Sequence, residues 1–152
     1  MIEARKYLES FKTDESRIEL KLEQIHYLQE RLSNISAALV NDPVSHTRNV
    51  TVMADTMATI VDMQKEIDQQ TNEIVKRKHE AYLLLEQINP ESAAILVDYF
   101  FKKKTIIAIS RTMHLERRQT YRKLNEAIAE LQFVLNSTEF QEHYNDPLYQ
   151  SR

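Results

Sequence analysis

Between Asp14 and Val40 the apolar residues Ile18, Leu22, Ile25, Leu28, Leu32, Ile35 and Leu39 recur at steps of three and four. That spacing puts them on one stripe of an α-helix. Asp14 or Ser16 can cap its start. Ahead of it, Ala4 to Phe11 form a short helical segment that docks through Tyr7, Leu8 and Phe11. The stretch from Asn41 to Asn49 reads as a connection, because Pro43 stops a helix and pushes Asp42 towards extended geometry. Thr47, Asn49 or Thr51 can each open the next element, which the pattern places over Val52 to Ile88. Its expected seam is Met53, Met57, Ile60, Gln64, Ile67, Thr71, Ile74, Lys78, Ala81, Leu85 and Ile88, alternating by four and three as in a coiled coil. Gln64, Thr71 and Lys78 interrupt that seam; they either fix its register or are solvated. A helix of this length is a rod of roughly 55 Å and cannot bury its stripe alone. The first helix, folded back antiparallel, is about ten residues too short to cover it on this reading. The excess calls for a third helix or another subunit, and a homodimer is expected.

Past the rod the pattern shortens. Asn89-Pro90-Glu91 is a helix start: a capping side chain, proline at the first position and an acid at the positive end. A helix from Pro90 to about Lys102 follows, then one from about Thr105 to Met113. The connector Met113-His114-Leu115 leads to a helix from Glu116 to about Leu135, whose inner face uses Thr120, Leu124, Ala127, Ile128, Leu131 and Leu135. The tail, 136–152, carries Phe140, Tyr144, Pro147 and Tyr149 and is either a short helix or frayed. The predicted fold is all-α: a long antiparallel helical hairpin or coiled coil for oligomerisation (1–88), a helix-turn-helix unit (89–135), and the tail.

Composition narrows the chemistry. The 152 residues contain no cysteine, which removes disulfides, thiolate metal sites and cysteine nucleophiles, and no glycine, which removes the usual phosphate loops. No apolar run approaches the ~18 residues of a membrane span. His26, His46, His79, His114 and His143 lack the i, i+4 spacing of a helix-borne metal pair. Glu19 with Glu23, and Glu66 with Glu73, read as solvated faces rather than hydrolytic acid pairs. Ser110 and His114 have no visible third partner. Met53, Met57 and Met63 read as packing residues. Neither an enzyme activity, a cofactor nor a metal is expected.

Charge is the informative term. The net formal charge is -3, yet residues 102–123 hold eight basic side chains against one acid, Glu116. A mildly acidic chain with one concentrated basic segment suggests a polyanion contact. In a DNA-binding helix-turn-helix a short support helix packs on a second helix that enters the major groove. Ile109, Ser110, Met113 and Leu115 suit the support helix and turn. Arg117 or Arg118 can pair with guanine, and Gln119 with adenine. Lys102, Lys103, Lys104, Arg111, Tyr121, Arg122 and Lys123 are candidates for phosphate.

Several stretches carry a resemblance. They are Glu3-Ala4-Arg5-Lys6-Tyr7-Leu8, Ile18-Glu19-Leu20-Lys21-Leu22-Glu23-Gln24, Thr47-Arg48-Asn49-Val50, Ile60-Val61-Asp62-Met63-Gln64-Lys65-Glu66-Ile67 and Gln119-Thr120-Tyr121-Arg122. In this order, over most of residues 3–131, the chain resembles small phage and prophage proteins of Gram-positive bacteria. Those proteins have an amino-terminal coiled coil and a helix-turn-helix similar to region 4 of bacterial sigma factors. The likeness extends to ArpU-type late transcriptional regulators of phages. The resemblance implies sequence-directed binding of double-stranded DNA in the cytoplasm of a bacterial host, control of late transcription, and RNA polymerase or other phage proteins as further partners. Tyr121 and Arg122 match a Tyr-Arg pair of the family's recognition helix, and Ala127 a small packing residue. The chain departs from the pattern at His114, where the family commonly has Gly; at Glu116, where it has Ser; and at Thr120, where it has Val. The other reading is a non-enzymatic helical adaptor or structural protein in a phage assembly or transcription complex.

Overall fold

The computed structural model describes residues 2–41 and 46–137. The Pro43 connection at 42–45 and the tail beyond residue 137, read as a short helix or frayed, lie outside the described residues. Among those described, the fold is all-α: α1 (Ala4–Asn41), α2 (His46–Leu85), α3 (Pro90–Leu96) running into a π-helical turn (Val97–Phe101), α4 (Ile106–Met113) and α5 (Arg117–Leu135). None of these helices is long and apolar enough to cross a membrane.

The long helices differ from expectation in three respects. First, α1 is a single helix; no break separates Ala4–Phe11 from the stretch after Asp14. Nothing in Lys12-Thr13-Asp14-Glu15 interrupts a helix. Thr13 turns its hydroxyl to the Glu9 carbonyl (3.4 Å), and Asp14 pairs with Arg17 at 3.7 Å instead of capping. Second, α2 starts at His46, not Val52, and ends at Leu85, not Ile88. Its last turn tightens through Gln87 N–H to Leu84 O (3.1 Å) and Ile88 N–H to Leu85 O (3.4 Å) just ahead of Pro90. Third, α1 and α2 are nearly equal, at 38 and 40 residues. A length mismatch therefore gives no reason for a further partner.

The chain divides into two compact units, Asp14–Val75 and the rest, rather than at residue 88. In the first unit, the parts of α1 and α2 within residues 14–75 pack antiparallel. Lys21 Nζ meets Glu66 (3.2 Å) while Ser36 lies against Met53 Sδ (3.8 Å), so position rises along one helix as it falls along the other. Ile25, Ile60 and Ile67 are buried, with Ile18, Leu28, Leu32 and Met63 packed against them. The α2 seam is not the one expected. Met53, Thr56, Ile60, Met63, Ile67, Gln70 and Ile74 turn inward, and Met57, Gln64 and Thr71 are exposed. Positions three and four residues on are both near the same face, so hydrophobicity alone favoured Met57 over Thr56. Thr56 can occupy the seam because its hydroxyl is satisfied by the Val52 carbonyl (2.7 Å). In α1, likewise, Lys21 lies along the seam and Leu22 is 50% exposed. The Lys21 stem packs while its ammonium reaches Glu66.

The second unit joins the first turns of α1, the end of α2 and all later helices. One core contains Ala4 and Leu8, Leu84 and Leu85, Ile95, Leu96 and Phe100, Ile106 and Ile109, and Leu124, Ala127, Leu131 and Leu135. Gln132 fastens the amino terminus to α5: Ala4 N–H donates to its Oε1 (2.7 Å), and its Nε2 donates to Ile2 O (2.8 Å). As expected, Asn89 caps α3 by accepting from Glu91 N–H (2.9 Å), with Pro90 at the first position. The helix does not stay α to Lys102, however. It widens at Val97 and is closed by Lys102 N–H to Val97 O (2.9 Å). The wider turn sets Phe100 in the core and Phe101 edge-on to Phe11 (5.2 Å) and Tyr82 (5.4 Å). The Phe11 ring also lies 4.7 Å from the Arg77 guanidinium.

Candidate nucleic-acid interface

A short helix, a tight turn and a longer helix stand at the end of this second unit. Thr105 caps α4 by accepting from Ala108 N–H (3.1 Å). At its other end His114 takes the left-handed conformation (φ 54°, ψ 42°), which Gly adopts most readily. His114 N–H bonds Arg111 O (3.3 Å) and Leu115 N–H bonds Ser110 O (3.0 Å), the paired closure of a Schellman motif. A histidine tolerates this backbone better than a β-branched residue. His114→Val is therefore expected to lower thermal stability by about 1–2 kcal/mol, and His114→Gly to leave it within about 0.5 kcal/mol of the parent, in calorimetric unfolding.

Glu116 and Thr120 are likewise settled by local contacts. Glu116 is the residue before α5, and its N–H donates to Gln119 Oε1 (3.2 Å). Gln119 thus satisfies the Glu116 N–H, the reciprocal half of a capping box. Thr120 is fully buried, its hydroxyl donating to Glu116 O (3.0 Å), so a threonine fills the space of a valine without an orphan donor. Ser110, buried opposite, is satisfied by Ile107 O (2.8 Å).

The candidate residues do not all end up alike. Thr120, Leu124, Ala127 and Leu131 form the buried row of α5. At ~100° per residue, Arg118 and Arg122 stand roughly opposite that row, with Arg117 and Tyr121 on one flank and Gln119 and Lys123 on the other. Glu116, Arg117, Arg118 and Gln119 are all exposed, so the amino end of α5 is open in the chain. Among the described residues neither Arg111 nor Arg118 has an ion-pair partner. Arg117 sits over the Tyr121 ring at 6.0 Å. Arg122 is paired with Glu126 at 3.2 Å in an exposed i, i+4 bridge, which is weak and easily exchanged. Lys123 is held by Glu91 at the start of α3, which ties α5 to α3. Gln119 Oε1 is engaged by the cap, so a bidentate adenine contact would first break that bond.

The lysine triplet is organised rather than loose. Lys103 has φ 55°, and Lys104 N–H bonds Asp98 O (2.9 Å). The Asp98 carboxylate receives both Lys102 (3.6 Å) and Lys104 (3.3 Å). Two cations share one acid, so this cluster keeps a net positive charge. No sequence pattern pointed to Arg5, 120 residues away, whose Nη2 donates to Asn125 Oδ1 at 3.2 Å on the exposed side of α5. Nor did it indicate Glu130, which accepts from Ser92 (2.8 Å) and Asn89 N–H (3.2 Å) and steadies the start of α3.

Residues 33–132 match the family model described as protein of unknown function, DUF1492. No curated protein matches the chain. No solved structure matches it either.

Proposed function

Because this chain belongs to the DUF1492 family, whose description carries no activity, we propose from its own residues that it binds double-stranded DNA sequence-specifically. The reading element is the α4–turn–α5 unit, similar to region 4 of sigma factors, and the role is transcription regulation of the ArpU type in phages. The observation that carries this reading is the exposed, basic amino end of α5 directly after the left-handed turn at His114. In the proposed complex Arg118 and Arg117 face base edges, and Arg111, Tyr121, Arg122 and the Lys102–Lys104 cluster face phosphates. Lys123 adds charge from a fixed position on Glu91. The protein acts as a homodimer, which favours palindromic sites.

Anisotropy titrations with promoter duplexes at two salt concentrations test this directly. For about four phosphate contacts per chain, hence about eight per dimer, affinity should fall on the order of 10,000-fold between about 50 and 200 mM salt. A salt-independent signal would exclude a phosphate-neutralising interface.

The second reading is a helical adaptor. The 49% exposure of Ile107, within the basic segment, and the 82% exposure of Phe133, towards the other end of α5, favour it, since both offer apolar contacts. It requires partner binding without any preference for duplex sequence.

A further inference from the structure

Beyond its inner seam, α2 carries a second one. Met57, Val61, Gln64, Asp68, Thr71 and Val75 follow each other at steps of four, three, four, three and four. This is the heptad spacing of a coiled-coil interface. All six are exposed; Met57 is 49% exposed, Val61 47% and Val75 61%. The stripe lies beside the seam that packs on α1, not on the far side. Gln64 and Asp68 line an open groove with Leu22, His26 and Gln29 of α1.

The stripe is apolar at both ends, with Gln64, Asp68 and Thr71 between them, and its positions pair off about residue 66. We propose that α2 pairs through this stripe with α2 of a second copy of the chain, antiparallel about a twofold axis at residue 66. Met57 then faces Val75 of the other copy, Val61 faces Thr71, and Gln64 faces Asp68, each contact occurring twice. The Gln64 amide donates to the Asp68 carboxylate across the interface, so these two polar residues satisfy each other, while the Thr71 methyl packs against Val61. A parallel arrangement places Asp68 against Asp68 and is disfavoured by like charge. A single partner of other sequence would need its own matching donor in the same place, whereas a second copy supplies it by symmetry. Two hairpins joined this way form a four-helix contact that covers apolar surface a lone hairpin leaves in water.

This inference deepens the dimeric part of the proposed function, and it is tested on the full chain without DNA. Sedimentation should give a dimer. Val61→Glu with Val75→Glu should raise its dissociation constant about 100-fold or more, because charges replace groups buried on both sides of the axis. Far-UV circular dichroism must stay unchanged for that result to count, and Val61→Thr, a milder variant, provides the same readout if the double variant unfolds. The chain has no cysteine, so register can be read cleanly. Mixed Gln64→Cys and Asp68→Cys chains should cross-link to each other under mild oxidation, and neither should link efficiently alone. A monomer at all concentrations, an unaffected dimer in the Val61/Val75 variants, or preferential self-linking of either single variant would overturn the proposal. Loss of dimer with retained duplex binding would leave the DNA reading standing.

Discussion

Replacing Leu8 with Ala is expected to destabilise the unit that contains the helix-turn-helix by about 3 kcal/mol, within the ~2–5 kcal/mol found for buried leucines. Leu8 is 1% exposed and shares a core with Leu84, Leu96 and Leu131. Its truncation removes methyl groups and leaves a space that α5 and α3 cannot close without giving up contacts with each other. The amino-terminal turns also satisfy Gln132, through Ala4 N–H and Ile2 O. By the same reasoning a fragment of residues 89–135 is expected to remain unfolded. It lacks Ala4, Leu8, Leu84 and Leu85, four members of the buried core that also contains Leu131 and Ile95. Urea unfolding of the Leu8→Ala chain and circular dichroism of the fragment check both statements. A cooperatively folded fragment with native helicity would show that the amino-terminal turns are accessory.

The Arg117→Ala, Arg118→Ala double variant is expected to lose about 100-fold in discrimination between its preferred duplex and a scrambled one. The basis is ~1–3 kcal/mol for each bidentate base contact. The structure also ranks the two. Arg118 lies close to the outermost line of α5 and has no ion-pair partner among the described residues, while Arg117 sits on the flank over Tyr121. Arg118→Ala alone should therefore account for more of the loss. Lys102, Lys103 and Lys104 changed together to Ala should instead weaken all duplexes similarly and reduce the salt dependence. Competition titrations with specific and scrambled duplexes separate the two patterns. Uniform weakening in the arginine variant would remove the base-reading role.

The long helices, the start at Asn89-Pro90-Glu91 and the short-helix–turn–helix spacing were legible because each is written locally. Periodicity, a capping side chain and a proline act over a few residues. The turn at His114 was legible for the same reason, although the residue is not glycine: a short helix had to end before Leu115 for the buried row from Thr120 to Leu131 to begin. Helix ends were read less well, since α1 runs unbroken from Ala4 and α2 starts at His46, and within the helices the reading failed over small angular choices. Thr56 displaced Met57 and Lys21 displaced Leu22, because a hydroxyl bonded to its own helix, or a long aliphatic stem, can pack where a hydrophobicity count expects an apolar residue. The π-helical turn at Val97 was equally out of reach; it is set by where Phe100 and Phe101 find room against other elements.

The candidate site divides the same way. Local sequence placed the positive charge on one short segment, and α5 carries it at an open end. Which cations face solvent alone and which are held was a matter of distant acids: Asp98 under Lys102 and Lys104, Glu91 on Lys123, and Glu126 on Arg122. The sequence by itself determined that the chain is helical, where the helices turn, and that their basic residues are concentrated near one turn, since all of these follow from interactions within a few residues. Only the tertiary structure decided that Ala4 and Leu8 belong to the same core as α5, and that Arg5 stands beside Asn125. Such contacts depend on how the packed helices meet, and a one-dimensional pattern carries no record of distances between residues 120 positions apart.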